Sequence, residues 1–319
     1  MNDKKHQDLL LSIAQDFYLN KLSVSDLSAK YNVSRYYISK YLDEVVENNL
    51  VTIHINTPFA RNAKMEREMM TEFSLKNVYI MKEKPDSITN EDTLVSFTAK
   101  VMQDLIASAH VVGISWGTFL YRVLDAFSQS DQRNLVFTQF VGEASKRRMY
   151  TESSSLLQKA ASKYNSAVYL TIPAPLYVAN DSLRKDLAEE PAIKATLRVA
   201  KKMDVVFAHV STLSAIEAIP SWGENFRAYF PTLKPRQVAG VVYGRPFDRQ
   251  GNYLTQGNDK VFGLSLSDMK KVPHRVGVIE SDTKAAAAIG VLRAKAFTDV
   301  IMSESSANKI FSMIKTENY

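Results

Sequence analysis

The sequence predicts an α/β protein in two parts: an N-terminal helix-turn-helix (winged) domain, and a large Rossmann-like, mostly parallel α/β domain. Three observations predict it. Within the first sixty residues a short amphipathic helix, a turn of three to four residues and a longer helix follow one another. From Asn77 onward, short apolar runs rich in β-branched residues alternate with helical periodicity, which is how strands covered by helices on both faces read. One of these runs, Val111–Ser115, passes through a small-residue turn directly into a helical pattern.

In chain order, Leu9, Leu10, Ile13, Ala14 and Phe17 mark a first amphipathic helix. Ser23 or Ser25 starts a second, running through Leu27 and Ala29 to Tyr31, and Asn32 tolerates the left-handed conformation at its end. Ser34 caps a third helix, RYYISKYLDEVVENN, with Ile38, Leu42 and Val45 facing inward. At about 100° per residue, Tyr36, Lys40 and Asp43 lie opposite that stripe, Arg35 and Ser39 flank it, and Tyr37 and Tyr41 lean toward the core side. In a helix-turn-helix the second helix enters the major groove by its N-terminal half. Ser34, Arg35, Tyr36, Ser39 and Lys40 are therefore the candidate DNA-binding residues. Asp43, Glu44 and Glu47 sit in the half that would point away, where they are poorly placed for the helix dipole and keep the distal end off phosphate. A three-helix protein-docking module with a solvated charged face fits the same pattern. Val51–Ile55 (VTIHI) alternates like a strand and suits a wing; His54 within it reads as a surface or packing residue.

Thr57-Pro58 breaks the pattern, and ARNAKMEREMMTEFS reads as a charged helix with Met65, Met69, Met70 and Phe73 on one side. Such a helix suits the pairing of subunits, or packing on its own domain. The expected organisation is thus a DNA-binding domain over 1–56, a linker and oligomerisation helix over 57–76, and the large domain over 77–319. Strands are expected at Asn77–Met81, Val111–Ser115, Leu135–Val141, Ala167–Ile172, Val205–Val210, Arg275–Ile279 and Asp299–Met302. Helices are expected at Glu91–Ala109, Thr118–Phe127, Glu152–Tyr164, Leu183–Met203, Thr283–Ala296 and Ala307–Lys315.

In such sheets ligands bind outside the carboxyl ends of the strands. The stretch VVGISWGTFLYRVLDAF, Val111 to Phe127, is the strongest candidate, because a strand, a turn at Gly117 and a helix that Thr118 can cap gather unpaired backbone N–H groups around one point. It reads as a phosphate seat, although it lacks the lysine of a P-loop and the three glycines of a dinucleotide fingerprint; an ordinary strand-to-helix turn has the same form. After the next strand, Gln139, Gly142 and Glu143 suit sugar hydroxyls, and Lys146, Arg147 and Arg148 suit phosphate or a solvated run. Pro173-Ala174-Pro175 forms a rigid wall, and His209, Ser211 and Thr212 end a further strand. YGRPFDRQGN offers Arg245 and Asp248 on a loop held by Gly244 and Gly251. Lys284 falls in the first turn of a helix, where a cation opposes the dipole; an anionic partner explains it, as does a surface position.

Composition bounds the alternatives. A hydrophobic share of 45% and a charged share of 23% over 319 residues are those of a globular protein, and no apolar run approaches the roughly 18 residues of a membrane span. The N-terminus lacks a signal-peptide cleavage pattern, and the absence of cysteine removes disulfides and thiolate metal sites. The expectation is a cytoplasmic protein with no metal and no membrane. The net charge of +6 does not locate a DNA-binding part, because residues 1–60 hold six basic and seven acidic side chains.

With these residues assembled, the chain resembles the sorbitol-operon regulator (SorC-type) family of bacterial transcription factors. The resemblance covers nearly the whole chain and rests on LSVSDLSAKYNVSRYYISKYL, VVGISWGTFLY, FTQFVG, LTIPAPLYV, GRPFDRQGN and RVGVIESDTKAAAAIGVL, in family order. The GISWGT loop is most similar to the branch regulating deoxyribonucleoside use. The resemblance implies operator DNA and a small phosphorylated sugar effector as partners, a homodimer or homotetramer, and no cofactor. It maps the phosphate loop to Gly117 and Thr118, with Ser115 and Trp116 adjoining, a sugar-contacting acid to Asp248, and the family lysine to Lys284. Relatives usually carry a Gly-Gly pair where this chain has Glu280-Ser281, and commonly an acid where it has Val241; a carboxylate at 280 facing inward would repel a phosphate. Because the family's sensing domain is similar in fold to sugar-phosphate isomerases and deaminases, an enzyme with an accessory helical domain is the rival expectation. Isomerisation needs a positioned base, and HVSTLS, where those enzymes have an acid-rich turn, holds no carboxylate. A non-enzymatic binder is expected.

Overall fold

The computed structural model describes residues 2–48, 50–51, 59–83, 90–144, 153–217, 225–255 and 257–317. The chain divides into two compact units, Met1–Pro58 and Phe59–Tyr319. In the small unit α1 (Asn2–Ala14) continues into a π turn, Gln15–Leu19, and is followed by α2 (Val24–Tyr31) and α3 (Arg35–Glu47). The expected stop and start signals operate. Ser23 and Asp26 form a reciprocal capping box, Asn32 closes α2 at φ 54°, and the Ser34 hydroxyl accepts from the Tyr37 N–H. Leu10, Ile13, Leu27, Ile38, Leu42 and Val45 are buried between the helices. Asp16, in the π turn, is 6% exposed. It accepts from Lys30 Nζ at 2.6 Å, Tyr31 Oη at 2.6 Å and Asn20 Nδ2 at 2.9 Å, tying α1 to α2. Most of the expected wing, with His54 and the Thr57-Pro58 break, lies outside the described residues.

In the large unit, the helix assigned from sequence to a linker, α4 (Ala63–Phe73), packs on the sheet of its own unit. Met69 and Phe73 join the main core. The enclosed Glu66 accepts from Arg61 at 2.8 and 3.0 Å and from the Ile80 N–H at 2.8 Å. The sheet has seven parallel strands in the order β1 (Asn77–Met81), β9 (Asp299–Ser303), β8 (His274–Ile279), β5 (Val205–His209), β2 (Val111–Ile114), β3 (Val136–Thr138), β4 (Val168–Leu170). Alternate strand residues feed opposite cores: Val206 and Ala208 face one layer, Val205 and Phe207 the other.

Three expectations are corrected. Strands β3, β4 and β5 are shorter than the expected runs, whereas β8 and β9 each extend one residue beyond theirs. The expected helix Leu183–Met203 is two helices, α8 (Asp181–Glu189) and α9 (Pro191–Ala200), because Pro191 forces Glu190 to ψ 129° and then starts α9 itself. And YGRPFDRQGN, read as a loop, begins in a hairpin of β6 (Gly240–Val242) with β7 (Arg245–Phe247).

The strand order has a switch point. From β2 the chain moves to β3 and β4 on one side; from β5 it moves to β8 and β9 on the other. The order therefore reverses between the neighbours β2 and β5, and a crevice opens at the carboxyl ends of strands at such a point.

Candidate functional site

At the end of β2, the Ser115 N–H donates to Phe207 O at 2.9 Å, keeping the chain paired to β5 one residue further. Ser115 is buried and its hydroxyl donates to Trp116 O at 3.2 Å. The Trp116 indole stands edge-on to His209, the last residue of β5, with ring centroids 6.3 Å apart. Gly117 then takes φ 139°, and a Cβ there would lie 2.8 Å from His209 Cε1. Both conditions require glycine. Gly117 is also the N-cap of α6 (Thr118–Asp125), so no side chain caps the helix. Thr118, expected as the cap, is instead the first helical residue and is exposed. No side chain therefore satisfies the first-turn N–H groups at the positive end of the helix dipole.

His209 Nε2 lies 2.9 Å from Ser211 Oγ. Desolvation, reinforced by the positive charge of Lys284, pushes the imidazole down to about 4, so it is neutral near pH 7. Lys284 closes a 3-10 turn, Asp282–Lys284, immediately before the helix Ala285–Arg293, rather than lying inside that helix. Its ammonium donates to Val210 O at 2.9 Å and to the Glu280 carboxylate. The structure therefore gathers Ser115, Trp116, Gly117 and Thr118 with His209, and His209 with Lys284 and Glu280. Val241 is backbone-paired with Ser211 in both directions, at 2.7 and 3.0 Å.

The β3 residues sit one strand away and are engaged within the protein. Gln139 Oε1 accepts from the Ile172 N–H, while its Nε2 donates to Glu143 Oε1 at 2.6 Å. Glu143 Oε1 also accepts from the Ser154 N–H at 2.9 Å, at the start of α7 (Ser153–Ala161), where a carboxylate complements the dipole. Glu143 Oε2 is buried without a hydrogen-bond partner among the described residues. Gly142 is needed because a Cβ would fall 2.4 Å from Pro175 O. Lys146, Arg147 and Arg148 lie outside the described residues.

Asp248 bonds within its own turn. Its carboxylate accepts from the Asn252 N–H at 2.8 Å and from Asn252 Nδ2 at 3.0 Å, closing its own turn. Burial pushes its pKa up, but hydrogen bonds from Asn252 and the backbone of Gln250 and Gly251 outweigh this and hold it below the usual carboxylate range. A Cβ on Gly290 would lie 2.5 Å from Asp248 O, which sets Asp248 against the later half of the helix that Lys284 precedes. Arg245 is likewise structural: it is buried and donates to Asp259 at 2.8 Å, Leu264 O at 3.0 Å and Tyr243 O at 3.3 Å.

On α3, Arg35, Tyr36, Ser39 and Lys40 are all exposed, Tyr36 at 73%. Tyr37, expected toward the core, is 50% exposed with its ring edge-on to Tyr36 at 5.5 Å. The reason is angular: Ile38, Leu42 and Val45 already fill the inward stripe. Ser34 spends its hydroxyl on the helix cap, and Glu44 is paired with His6 Nε2 at 3.0 Å. Sequence inspection missed two features, the contact of His209 with Gly117 and the pairing of Glu280 with Lys284. Only the second carried a local signal, a Glu four residues before a Lys.

Among the described residues no group of three or more His, Asp or Glu could hold a metal ion, and no helix is long and apolar enough to cross a membrane. A family model described as a putative sugar-binding domain matches residues 57–312. The deoxyribonucleoside regulator of Bacillus subtilis is 22% identical over 310 residues, covering 97% of this chain and 98% of that protein. The sorbitol operon regulator of Klebsiella pneumoniae is 20% identical over 310 residues, covering 94% of this chain and 96% of that protein. The crystal structure of that full-length regulator superposes with a TM-score of 0.65 at 20% identity, covering 94% of this chain and 97% of the other.

Proposed function

The chain belongs to the SorC-type family built on the putative sugar-binding domain, and from that membership we propose that it is a DNA-binding transcriptional regulator whose operator affinity is set by a phosphorylated sugar. The observation that carries the effector half is the uncapped start of α6 at the switch point of the sheet. A phosphate seated there accepts from the first-turn N–H groups of α6 beside Gly117 and Thr118, with Trp116 and His209 forming the wall. Lys284, bonded to Val210 O next to His209, and its partner Glu280 face the remainder of the sugar.

The exposed N-terminal half of α3 supports the DNA half. Arg35 and Lys40 present cations and Tyr36 a polar-tipped ring, on a helix whose second half carries Asp43, Glu44 and Glu47. A single helix-turn-helix offers little specific surface, so the operator is a pair of half-sites bound by a homodimer or homotetramer. Effector control requires different affinities for the two states, since equal affinity shifts nothing.

The site binds rather than catalyses. His209–Ser214 brings no carboxylate to the end of β5, Glu143 Oε1 is held by Gln139 and the Ser154 N–H, and Asp248 bonds within its own turn, which supports a binder over an isomerase. Electrophoretic retention of operator DNA, with and without phosphorylated pentoses, hexoses and deoxyribose derivatives, tests the proposal. One of these sugars should alter retention without being consumed; turnover of any would establish the enzyme instead.

A further inference from the structure

Glu280 directly follows β8, and Lys284 ends the 3-10 turn Asp282–Lys284. The Lys284 ammonium holds Glu280 Oε1 and donates to Val210 O at 2.9 Å. The two side chains are only 16% and 18% exposed. Enclosure matters here, because water and salt would screen an exposed pair to near irrelevance. An anion reaching for Lys284 must instead displace a carboxylate already in place. Glu280 Oε2 is buried without a hydrogen-bond partner among the described residues. Negative charge on that side of the pair therefore has no second donor to offset it. His209, the residue before Val210 to which Lys284 is bonded, supplies no cation near neutral pH. The ion pair adds no net charge beside His209, whereas the uncapped start of α6, against the same imidazole, favours an anion.

From this arrangement we propose that Glu280 is a specificity-determining residue: it keeps Lys284 as an internal counter-ion, so the site takes a sugar with one anionic group, seated at α6, and neutral hydroxyls toward the Glu280–Lys284 pair. This rests on the sugar-binding role above and narrows its ligand class. A carboxylate accepts from hydroxyl groups and repels phosphate or carboxylate oxygens, while the lysine donates to a hydroxyl as well as to an anion. Lys284 thereby serves the uncharged end of the ligand.

Calorimetric titration of the full chain with inorganic phosphate tests this, comparing wild type, Glu280→Gln, Glu280→Ala and the double variant Glu280→Gln/Lys284→Ala. Freeing Lys284 should tighten phosphate binding about tenfold or more in both single variants, and the double variant should fall back to the wild-type value. Circular dichroism checks folding, and Glu280→Ala serves alone if the glutamine variant does not fold. Unchanged phosphate affinity in the folded single variants overturns the proposal, as does a gain that survives the loss of Lys284. The readout needs no knowledge of the natural sugar. Failure of sugar control over DNA leaves the phosphate result standing, and failure of the phosphate result leaves sugar control standing.

Discussion

Gly117 carries two constraints at once, a positive φ and an imidazole in the space a side chain would fill. Gly117→Ala should therefore cost about 1–3 kcal/mol in denaturant unfolding and abolish the thermal shift produced by sugar phosphates. An undiminished shift in that variant would place the ligand elsewhere. Asp16 carries a pH prediction. Hydrogen bonds from Lys30, Tyr31 and Asn20, together with the Lys30 charge, hold its pKa at about 2 against the desolvation that opposes them. A carboxylate lowered on folding stabilises fully above its unfolded pKa and loses that contribution as pH falls through the folded value. The stability gap between wild type and Asp16→Asn should accordingly be widest above about pH 4 and close toward pH 2, measured by circular dichroism of the helices. A gap that stays constant over that range would contradict the network.

Helix α3 sets the predictions for DNA. Arg35→Ala should cost about 1–3 kcal/mol against the cognate site if Arg35 reads guanine with both nitrogens. Lys40→Ala should weaken all sequences alike and reduce the salt slope by about one. Anisotropy titrations at two salt concentrations separate these outcomes, and unchanged binding in both variants would move the contact surface off this helix. Elements were legible where local chemistry decides them: Ser23, Asn32 and Ser34 mark the ends of α2 and α3, and the apolar runs mark the seven parallel strands. The break before Pro191 was overlooked although the signal was present, since helical periodicity continues across it. The β6–β7 hairpin gave no such signal, because Gly244, Pro246 and Gly251 read as loop until tertiary packing against the helix Ala285–Arg293 is known.

Across the whole molecule, the site is a product of strand order. Periodicity identifies strands but does not say that β2 lies against β5, and only that adjacency sets His209 against Gly117. The glycine, Thr118 and Lys284 could be named from the chain alone; their neighbours could not. Asp248 could be named from its motif, but not that its carboxylate accepts from Asn252 within its own turn. Allosteric coupling of the usual size, about 1–3 kcal/mol, changes a second affinity roughly 5–150-fold. The most direct measurement is operator affinity of the full chain, by fluorescence anisotropy, without and with saturating phosphorylated pentoses, hexoses and deoxyribose derivatives. One of these sugars should shift the dissociation constant within that range, and the shift should vanish in Gly117→Ala. Tight operator binding that no sugar phosphate alters, or a shift that Gly117→Ala retains in full, would contradict a sugar-controlled reading head.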